Sequence, residues 1–329
     1  MSKPEEPSAV RGLPTASDAE LLAYLTQGTP LAVEALQVLR HRHMAALMHY
    51  ARLCTTEERH AFELSRQALS SAARAAAAGT WQPGAVRHSL LLQLQALTAQ
   101  WAGDERRLRL SPDFLHWLFR ADDASEGRGA RGRTSHDVLQ HAFRSMPQQL
   151  QVILWHEELE PRGIELAATC AGIEVSEVEY HREQALTALR RNYLQTYGAR
   201  RSDTECKGYL RILDTQARRM GVGTVSSDFD AHRALCADCE QALHELAALY
   251  ADPRSVLSPG LIGFAGGGYT ERRSRREPPV RRDVPPVRRD VPPVRRRHSA
   301  PRNPGLGVRF ALAILVAALA TGVVLGVRR

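Results

Sequence analysis

Apolar residues recur at intervals of three and four along most of the first 250 residues. This period places them on one face of an α-helix, because a helix completes a turn in about 3.6 residues. The clearest runs contain Leu21, Leu22, Leu25, Leu36, Leu39, Leu90, Leu91, Leu94 and Leu97. Runs of β-branched residues are absent before the last 20 residues, which disfavours sheets. The pattern therefore predicts an all-α protein.

Four Ser/Thr-x-x-Glu motifs predict where some of the helices begin. Each could form a capping box, in which the hydroxyl and the glutamate each accept a free backbone N–H of the first turn. The motifs pair Ser17 with Glu20, Thr55 with Glu58, Ser176 with Glu179 and Ser202 with Glu205.

Two stretches lack an apolar period and divide the chain. Residues 121–134 contain three glycines and several charges, which is typical of a flexible connector. After Tyr250 the periodic pattern stops, and the motif Pro-Pro-Val-Arg-Arg-Asp-Val begins at Pro278 and Pro285, with an altered copy at Pro292. Paired prolines favour an extended polyproline II rod without a core of its own.

These breaks predict seven segments. They are a disordered tail (1–16), an N-terminal body (17–105), a flexible linker (106–134), a middle body (135–200), a Cys/His segment (202–250), a disordered Pro/Arg-rich linker (251–305) and a terminal apolar helix (306–327).

Basic charge is concentrated near the C-terminus. Residues 271–329 hold 15 arginines and 4 acidic residues, whereas the whole chain carries a net charge of +8. Residues 310–327 contain no charge, and at about 1.5 Å per residue a helix of that length approaches the thickness of a bilayer. We therefore predict one transmembrane helix over residues 306–327 in the cell membrane. The arginines between Arg288 and Arg309 place the N-terminal domains in the cytoplasm by the positive-inside rule.

Two roles remain open for these arginines. They could bind anionic membrane lipid, or they could belong to a solvated linker whose charge only sets the topology. Gly322 and Gly326, with Ala318, form a ridge of small residues typical of paired transmembrane helices. A homodimer through this helix is therefore a further hypothesis.

The strongest candidate for chemistry is the set Cys206, His232, Cys236 and Cys239. The last three have offsets of 0, +4 and +7, which form one stripe on a continuous helix, and Cys206 lies on a preceding helix that must fold back. Three thiolates and one imidazole are a closed tetrahedral ligand set for Zn²⁺, typical of structural sites. The alternative is that the cysteines are buried small residues and that His232 lies on the surface.

The spacing Cys206-x25-His232-x3-Cys236-x2-Cys239 resembles the zinc-binding anti-sigma fold, a helical module with which many bacterial anti-sigma factors hold their sigma partner. In that family the module often precedes a transmembrane helix, and this sequence has the same order. The resemblance implies that the Cys/His segment binds Zn²⁺ and restrains a sigma factor.

The middle body resembles region 4 of the extracytoplasmic-function (ECF) sigma factors. Residues 143–147 and 152–154 are similar to the opening helix of that region. Residues 164–167, Gly172 and the following Val-Ser-Glu-Val are similar to its helix-turn-helix, with the glycine in the turn and Ser176 as the cap of the recognition helix. In relatives this helix enters the major groove of promoter DNA.

The resemblance implies DNA contacts from Ser176, Tyr180, His181, Arg182, Arg190 and Arg191. Glu177, Glu179 and Glu183 lie on the same helix, and carboxylates near phosphates oppose binding, so promoter contact is expected to be weak or conditional. The alternative is a helix-turn-helix that is kept only as a protein-docking bundle.

The N-terminal body resembles ECF region 2. Residues 61–69 lie where a helix that binds core RNA polymerase is expected, with Glu63 and Leu64 in place of the family's Asp-Leu and Arg66 in place of its usual Gln. The resemblance implies polymerase contacts from these three residues. The segment where promoter melting is expected is Ala-rich with only Trp81 nearby, whereas strand separation requires side chains on which bases stack.

No enzyme motif is present, since the sequence has no Gly-rich phosphate loop, Gly-x-Ser-x-Gly elbow or His-Glu-x-x-His.

The residues and the resemblances together predict a membrane-anchored, sigma-factor-like transcription regulator that is not an enzyme and is restrained by its own Cys/His segment. The expected partners are core RNA polymerase, promoter DNA and anionic lipid. The alternative is a degenerate sigma-like scaffold that sequesters a partner sigma factor or RNA polymerase at the membrane without initiating transcription.

Overall fold

The described part of the chain is built from α-helices. The structure is a computed structural model that describes residues 12–82, 84–123, 137–219 and 226–275. The helices are α1 (Asp18–Thr26), α2 (Ala32–Cys54), α3 (Glu58–Ala77), α4 (Val86–Ala102), α5 (Pro112–Asp123), α6 (137–144), α7 (Gln148–Leu154), α8 (Ile164–Ala171), α9 (Val178–Arg200), α10 (Thr204–Gly208), α11 (Leu210–Arg218), α12 (Ser227–Leu235), α13 (Ala237–Ala251), α14 (Pro253–Leu257) and α15 (Gly266–Arg275). No strand occurs in these ranges, which confirms the all-α prediction for them.

The predicted transmembrane helix, residues 306–327, lies outside the described residues. Within the described residues, no helix is both long and apolar enough to cross a membrane. Residues 124–134 of the first linker, residues 135–136 of the middle body and residues 276–305 of the Pro/Arg-rich linker also lie outside them.

Helix α1 begins where the sequence predicts. The Ser17 hydroxyl accepts the N–H of Glu20 at 3.2 Å, and the Glu20 carboxylate accepts the N–H of Ser17 at 2.7 Å. This pair confirms the first capping box. Residues 12–16, which we assigned to the disordered tail, are ordered beside it because Arg42 donates to the carbonyls of Pro14 and Ala16.

The motifs at Thr55 and Ser202 do not form capping boxes. Thr55 donates its hydroxyl backwards to the carbonyl of Ala51 at 2.9 Å, so it closes α2 instead of opening α3. Asp203 rather than Ser202 caps α10, with its carboxylate accepting the N–H of Glu205 at 2.8 Å. Asp is as good an N-cap as Ser, and the sequence pattern alone does not separate adjacent candidates.

Helices α1 to α4 pack through their leucine-bearing faces. Helix α2 lies against both α1 and α3, and α3 also lies against α4. Leu21, Leu47, Leu64, Leu94 and Trp101 are fully buried between them. Since full burial of a leucine side chain stabilises a fold by about 1.5–3 kcal/mol, these faces hold the four helices together.

The linker expected over residues 106–134 is shorter than predicted. Residues 105–109 form a 3-10 turn, an isolated bridge joins Thr55 to Leu110, and α5 follows. Helix α5 buries Phe114 and packs its ring against Phe264 at 5.2 Å between centroids. The pattern was missed because the apolar residues of α5 find their partner more than a hundred residues later in the chain.

In the middle body, the residues for which the sequence predicts a helix-turn-helix form α8, a turn and α9. Gly172 ends α8 with a left-handed φ of 71°, as expected for the residue in the turn. Ser176 does not cap the second helix. It lies in a 3-10 turn that is closed by a capping box between Glu174 and Glu177, and α9 begins at Val178.

The segment after Tyr250, which we assigned to the linker, is folded as far as α15. Leu257, Leu261 and Ile262 are buried, and Tyr269 is completely buried. We call residues 253–275 the C-terminal segment. Part of the segment is a π-helical turn, Ser258–Ile262, in which apolar residues do not recur at the spacing of an α-helix. Their spacing in the sequence therefore did not predict a helix.

A cluster of buried polar side chains joins the N-terminal body, the middle body and the C-terminal segment. We call it the Arg87 cluster, and its members are Asp18, Arg42, His43, Arg87, Trp155, Glu160 and Tyr269. Arg87 forms an ion pair with Glu160, and both side chains are almost completely buried. Glu160 also accepts hydrogen bonds from Trp155 at 2.9 Å and Tyr269 at 2.6 Å.

The other half of the cluster balances the charge of Arg87. Arg87 Nε donates to His43 Nδ1 at 2.9 Å, and His43 Nε2 lies 3.1 Å from Asp18 Oδ2. Asp18 also pairs with Arg42 at 2.8 Å. Burial alone raises the pKa of Asp18, but His43 and Arg42 lower that pKa well below its usual range. Asp18 therefore stays ionised. Because His43 Nδ1 accepts from Arg87, the ring carries its proton on Nε2, which faces Asp18.

Replacing Arg87 by methionine is expected to lower the free energy of unfolding of the full-length protein by about 3–5 kcal/mol, because it leaves a buried carboxylate without its cation. Urea denaturation measures this loss. The matched control is Arg52→Met, which removes an exposed pair with Glu58 and should cost about 1 kcal/mol or less. Equal losses in the two variants would contradict the importance of the Arg87 cluster.

The stability of the protein is expected to fall as the pH drops below about 6.5, the ordinary pKa of histidine. Burial lowers the pKa of His156 to about 3, so between these values the unfolded chain binds a proton that the folded chain excludes. From pH 7 to pH 5 this residue alone should cost about 2 kcal/mol. Urea titrations at both pH values should give a smaller pH-dependent loss for His156→Met, and an identical loss would refute the assignment.

Candidate metal centre

Three helices and one turn bring the four predicted ligands together. Cys206 lies in α10, His232 in α12 and Cys239 in α13, while Cys236 lies between α12 and α13. The continuous helix that we expected breaks at Cys236, whose φ of -111° and ψ of 94° are extended values. The ligands therefore approach from separate helices rather than from one stripe.

The distances between the donor atoms fit a tetrahedral zinc ion. Cys206 Sγ lies 3.6 Å from His232 Nε2 and 3.8 Å from Cys236 Sγ, and His232 Nε2 lies 3.3 Å from Cys239 Sγ. All four donor atoms lie within 4.8 Å of one another. Zn–S bonds of about 2.3 Å and a Zn–N bond of about 2.0 Å separate two sulfurs by about 3.8 Å and a sulfur from a nitrogen by about 3.5 Å.

Neighbouring side chains orient His232 toward the cluster. Its Nδ1 lies 3.2 Å from Glu205 Oε1, and its ring centroid lies 4.8 Å from that of Tyr209. A carboxylate at the outer ring nitrogen holds the proton there and leaves the Nε2 lone pair free for a metal. Glu205 directly precedes Cys206, so α10 supplies both a ligand and the group that orients another.

The arrangement suits a structural metal. Burial raises the pKa of the Cys206 and Cys239 thiols above the ordinary value, and a bound cation must offset that effect because the thiolate is the form that coordinates. Four protein ligands close a tetrahedral site and leave no position for water or substrate. The centre can cross-link α10, α12 and α13 but has no open position for catalysis.

The candidate metal centre lies against α9, the second helix of the predicted helix-turn-helix. Tyr197 Oη lies 3.1 Å from Cys239 Sγ, Tyr193 donates to Glu245 at 2.7 Å, and Arg190 donates to the carbonyl of Leu249 at 2.9 Å. As the α9 numbers fall, the α13 numbers rise, so the two helices run antiparallel. Contacts thus extend from the metal centre along the C-terminal half of α9.

The predicted DNA-binding residues fall into two groups. Ser176 and Arg191 are exposed, Tyr180 is 65% exposed, and His181 is half-buried with its ring against that of Tyr180. Arg182 and Arg190 are engaged within the chain. Arg182 pairs with three glutamates, and Arg190 lies over the ring of Tyr250 at 4.2 Å as well as bonding to α13.

The predicted polymerase-binding residues also occupy different environments. Leu64 is completely buried in the core, and Glu63 pairs with Arg109 at 3.1 Å. Arg66 is exposed and lines a groove between α2 and α3, opposite Arg40. The structure thus brings together the predicted metal ligands but spreads the three polymerase-binding residues between core and surface.

Two neighbours of the metal centre were not predicted from the sequence. Glu205 was noted only as part of a capping motif, and Tyr197 was not singled out. A signal for the latter exists, because Arg190, Tyr193 and Tyr197 follow helical spacing along one face of α9. The sequence alone does not show that α13 covers this face, so the spacing did not identify Tyr197 as a neighbour of the candidate metal centre.

Within the described residues, fold and site define an all-α chain in which a candidate Cys₃His metal centre packs against the long helix α9. In comparisons with protein-family models, curated proteins and solved structures, no match to this chain was found.

The purified full-length protein is expected to carry one zinc ion per chain, and Cys239→Ser is expected to lose most of it, because serine is a poor ligand for zinc. Mass spectrometry of the metal content checks this. The control is Cys170→Ala, which changes a buried cysteine outside the cluster and should retain zinc. Zinc-free wild-type protein after metal-replete purification would contradict the assignment.

Proposed function

We propose that the protein is a membrane-anchored, sigma-factor-like transcription regulator that is held inactive by its own zinc-binding Cys/His segment. The observation that carries this proposal is the packing of α13 along α9. In the proposed function, α9 is the promoter-recognition helix. The predicted transmembrane helix anchors the chain at the cell membrane with its folded part in the cytoplasm, where the arginine-rich linker meets anionic lipid.

The contacts of the two engaged arginines support an inactive arrangement. Arg190 donates from Nε and Nη2 to the Leu249 carbonyl, and its guanidinium group lies over the ring of Tyr250. Phosphate contacts need free basic side chains, because neutralisation of phosphates drives DNA binding. Helix α9 must therefore separate from α13 before Arg190 can meet DNA.

The surface between α2 and α3 supports a contact with core RNA polymerase. Val33, Leu36 and Met44 line the groove beside Arg66, and Arg40 adds a second cation at its edge. An apolar floor with a basic rim suits an amphipathic helix with acidic flanks. This surface remains accessible in the closed arrangement, so the restraint acts mainly on α9.

Because the Cys/His segment and α9 belong to one chain, even a weak contact between them can restrain α9. The Cys/His segment follows α9 after only a few residues, so the two elements meet at a high effective concentration. Zinc would keep α10, α12 and α13 in the shape that fits α9. Loss of zinc through thiol oxidation, or cutting of the linker to the membrane, would then release it.

A second function is favoured by the charge of the recognition helix. Glu179 and Glu183 are more than half exposed on the first turns of α9, and both pair with Arg182, the nearest cation. An acidic face disfavours DNA. In this alternative the protein is a scaffold that sequesters a sigma factor or RNA polymerase at the membrane and never starts transcription.

Gly198 offers a way to open the closed arrangement. A Cβ atom at this position would lie 2.6 Å from Leu210 Cδ1 of α11, so α9 and α11 meet at the glycine. In full-length protein, Gly198→Trp is expected to push the Cys/His segment away and free Arg190, and so to raise several-fold the amount of genomic DNA retained together with core RNA polymerase in a pull-down. The amount of polymerase itself should be unchanged, because the groove between α2 and α3 is already accessible. The variant should also give RNA with defined 5′ ends from genomic DNA in a reconstituted assay.

The control is Gly198→Ala, whose methyl group displaces only the flexible end of Leu210 and should behave like the wild type. Circular dichroism and zinc content verify that both variants are folded. Polymerase binding by all three proteins without DNA retention or defined transcripts would support the scaffold. DNA retention and defined transcripts in the wild type equal to those of Gly198→Trp would refute self-restraint. Absence of polymerase binding in all three proteins would refute the proposed partner.

A further inference from the structure

Tyr197 is the point at which α9 reaches the metal centre. Its hydroxyl oxygen lies 3.1 Å from Cys239 Sγ, and the contact is shielded from water because Tyr197 is 4% exposed and Cys239 is fully buried. A hydrogen bond in such a dry site is stronger than one in water. A buried tyrosine hydroxyl usually has a hydrogen-bond partner, and here Cys239 Sγ is that partner.

The ring of Tyr197 is held in place from α13 as well. The Arg201 guanidinium lies 5.1 Å from the ring centroid and forms an ion pair with Asp238, the residue before Cys239. Residues on both sides of the contact therefore fix its geometry. This arrangement keeps the hydroxyl directed at one ligand atom of the cluster.

The chemistry of the metal-bound state decides which atom donates. A thiolate that coordinates zinc has no proton, so the tyrosine O–H must donate and the sulfur must accept. Such a bond reduces the negative charge that the sulfur presents to its surroundings. Partners of this kind change metal affinity by about 10- to 100-fold in characterised sites.

We propose that Tyr197 is a positioning residue of the metal centre, so that α9 supplies part of the environment of the zinc ion and zinc binding strengthens the contact between α9 and α13. This inference rests on the zinc-binding segment of the proposed function. The two effects are thermodynamically linked. If the contact between α9 and α13 raises zinc affinity by a given factor, zinc binding stabilises that contact by the same factor.

The test compares two tyrosine-to-phenylalanine variants of the full-length protein. Tyr197→Phe removes the hydroxyl that contacts Cys239, whereas Tyr193→Phe removes a hydroxyl of the same helix that bonds to Glu245 and does not reach the cluster. Zinc affinity is measured by competition with a chromogenic chelator. We expect about a 10-fold weaker affinity for Tyr197→Phe and a change within about 2-fold for Tyr193→Phe.

Cobalt(II) provides a readout that a purely structural role would not move. The thiolate-to-cobalt charge-transfer band is expected to shift to longer wavelength in Tyr197→Phe, because an unbonded thiolate gives up an electron more easily. Hydrogen exchange of residues 193–200 should also lose most of its zinc-dependent protection in this variant. Circular dichroism of the zinc-loaded variant controls for folding.

The outcomes separate this inference from the proposed function. An unchanged affinity and an unchanged cobalt band in Tyr197→Phe would overturn the role of the hydroxyl while the metal centre itself stands. Equal weakening by both variants would assign the effect to helix packing and would also overturn it. A wild-type protein that binds neither zinc nor cobalt would instead refute the metal centre of the proposed function.

Discussion

The ion pair between Arg87 and Glu160 is the constraint on which the rest of the structure depends. It joins α4 to Glu160, which ends a π-helical turn, Trp155–Leu159, directly after α7. Glu160 also accepts a hydrogen bond from the hydroxyl of Tyr269 in the C-terminal segment. Three parts of the chain therefore meet at one buried carboxylate. Separating any of them would expose a charged group to water or leave a buried charge without its partner. An unpaired buried charge lowers the free energy of unfolding by several kcal/mol. These parts consequently stay together unless the whole cluster opens.

The candidate metal centre would add a second constraint at the other end of the middle body. A bound ion would fix α10, α12 and α13 relative to one another, and α13 covers the C-terminal half of α9. Under the proposed function, the Arg87 cluster holds the two sigma-like bodies in one arrangement, and the metal centre holds the cover on the recognition helix. Such a pair of separate restraints suits a protein that must stay inactive until a specific chemical signal arrives, because one restraint can be removed while the rest of the fold survives.

Much of the helical architecture was predictable because it depends on local sequence. Leucine periodicity locates α1, α2 and α4, Ser17 with Glu20 marks the start of α1, and Gly172 marks the turn because its backbone is left-handed. Prediction failed where the deciding partner is remote. Phe114 in α5 and Phe264 in the C-terminal segment lie far apart in sequence and bury one another, so each appeared to belong to a linker.

The identity of the four candidate ligands follows from the sequence alone, because three cysteines and a histidine match the closed Cys₃His set that zinc takes in proteins. Their geometry does not, since the helix that should have carried three of them breaks at Cys236. The sequence also determined the all-α class of the described residues and the position of the turn between α8 and α9, because helical periods and a glycine turn are properties of neighbouring residues. Only the tertiary structure decided that Arg87 meets Glu160 and that Tyr197 meets Cys239, because such pairings depend on how whole helices pack after the local pattern has formed them.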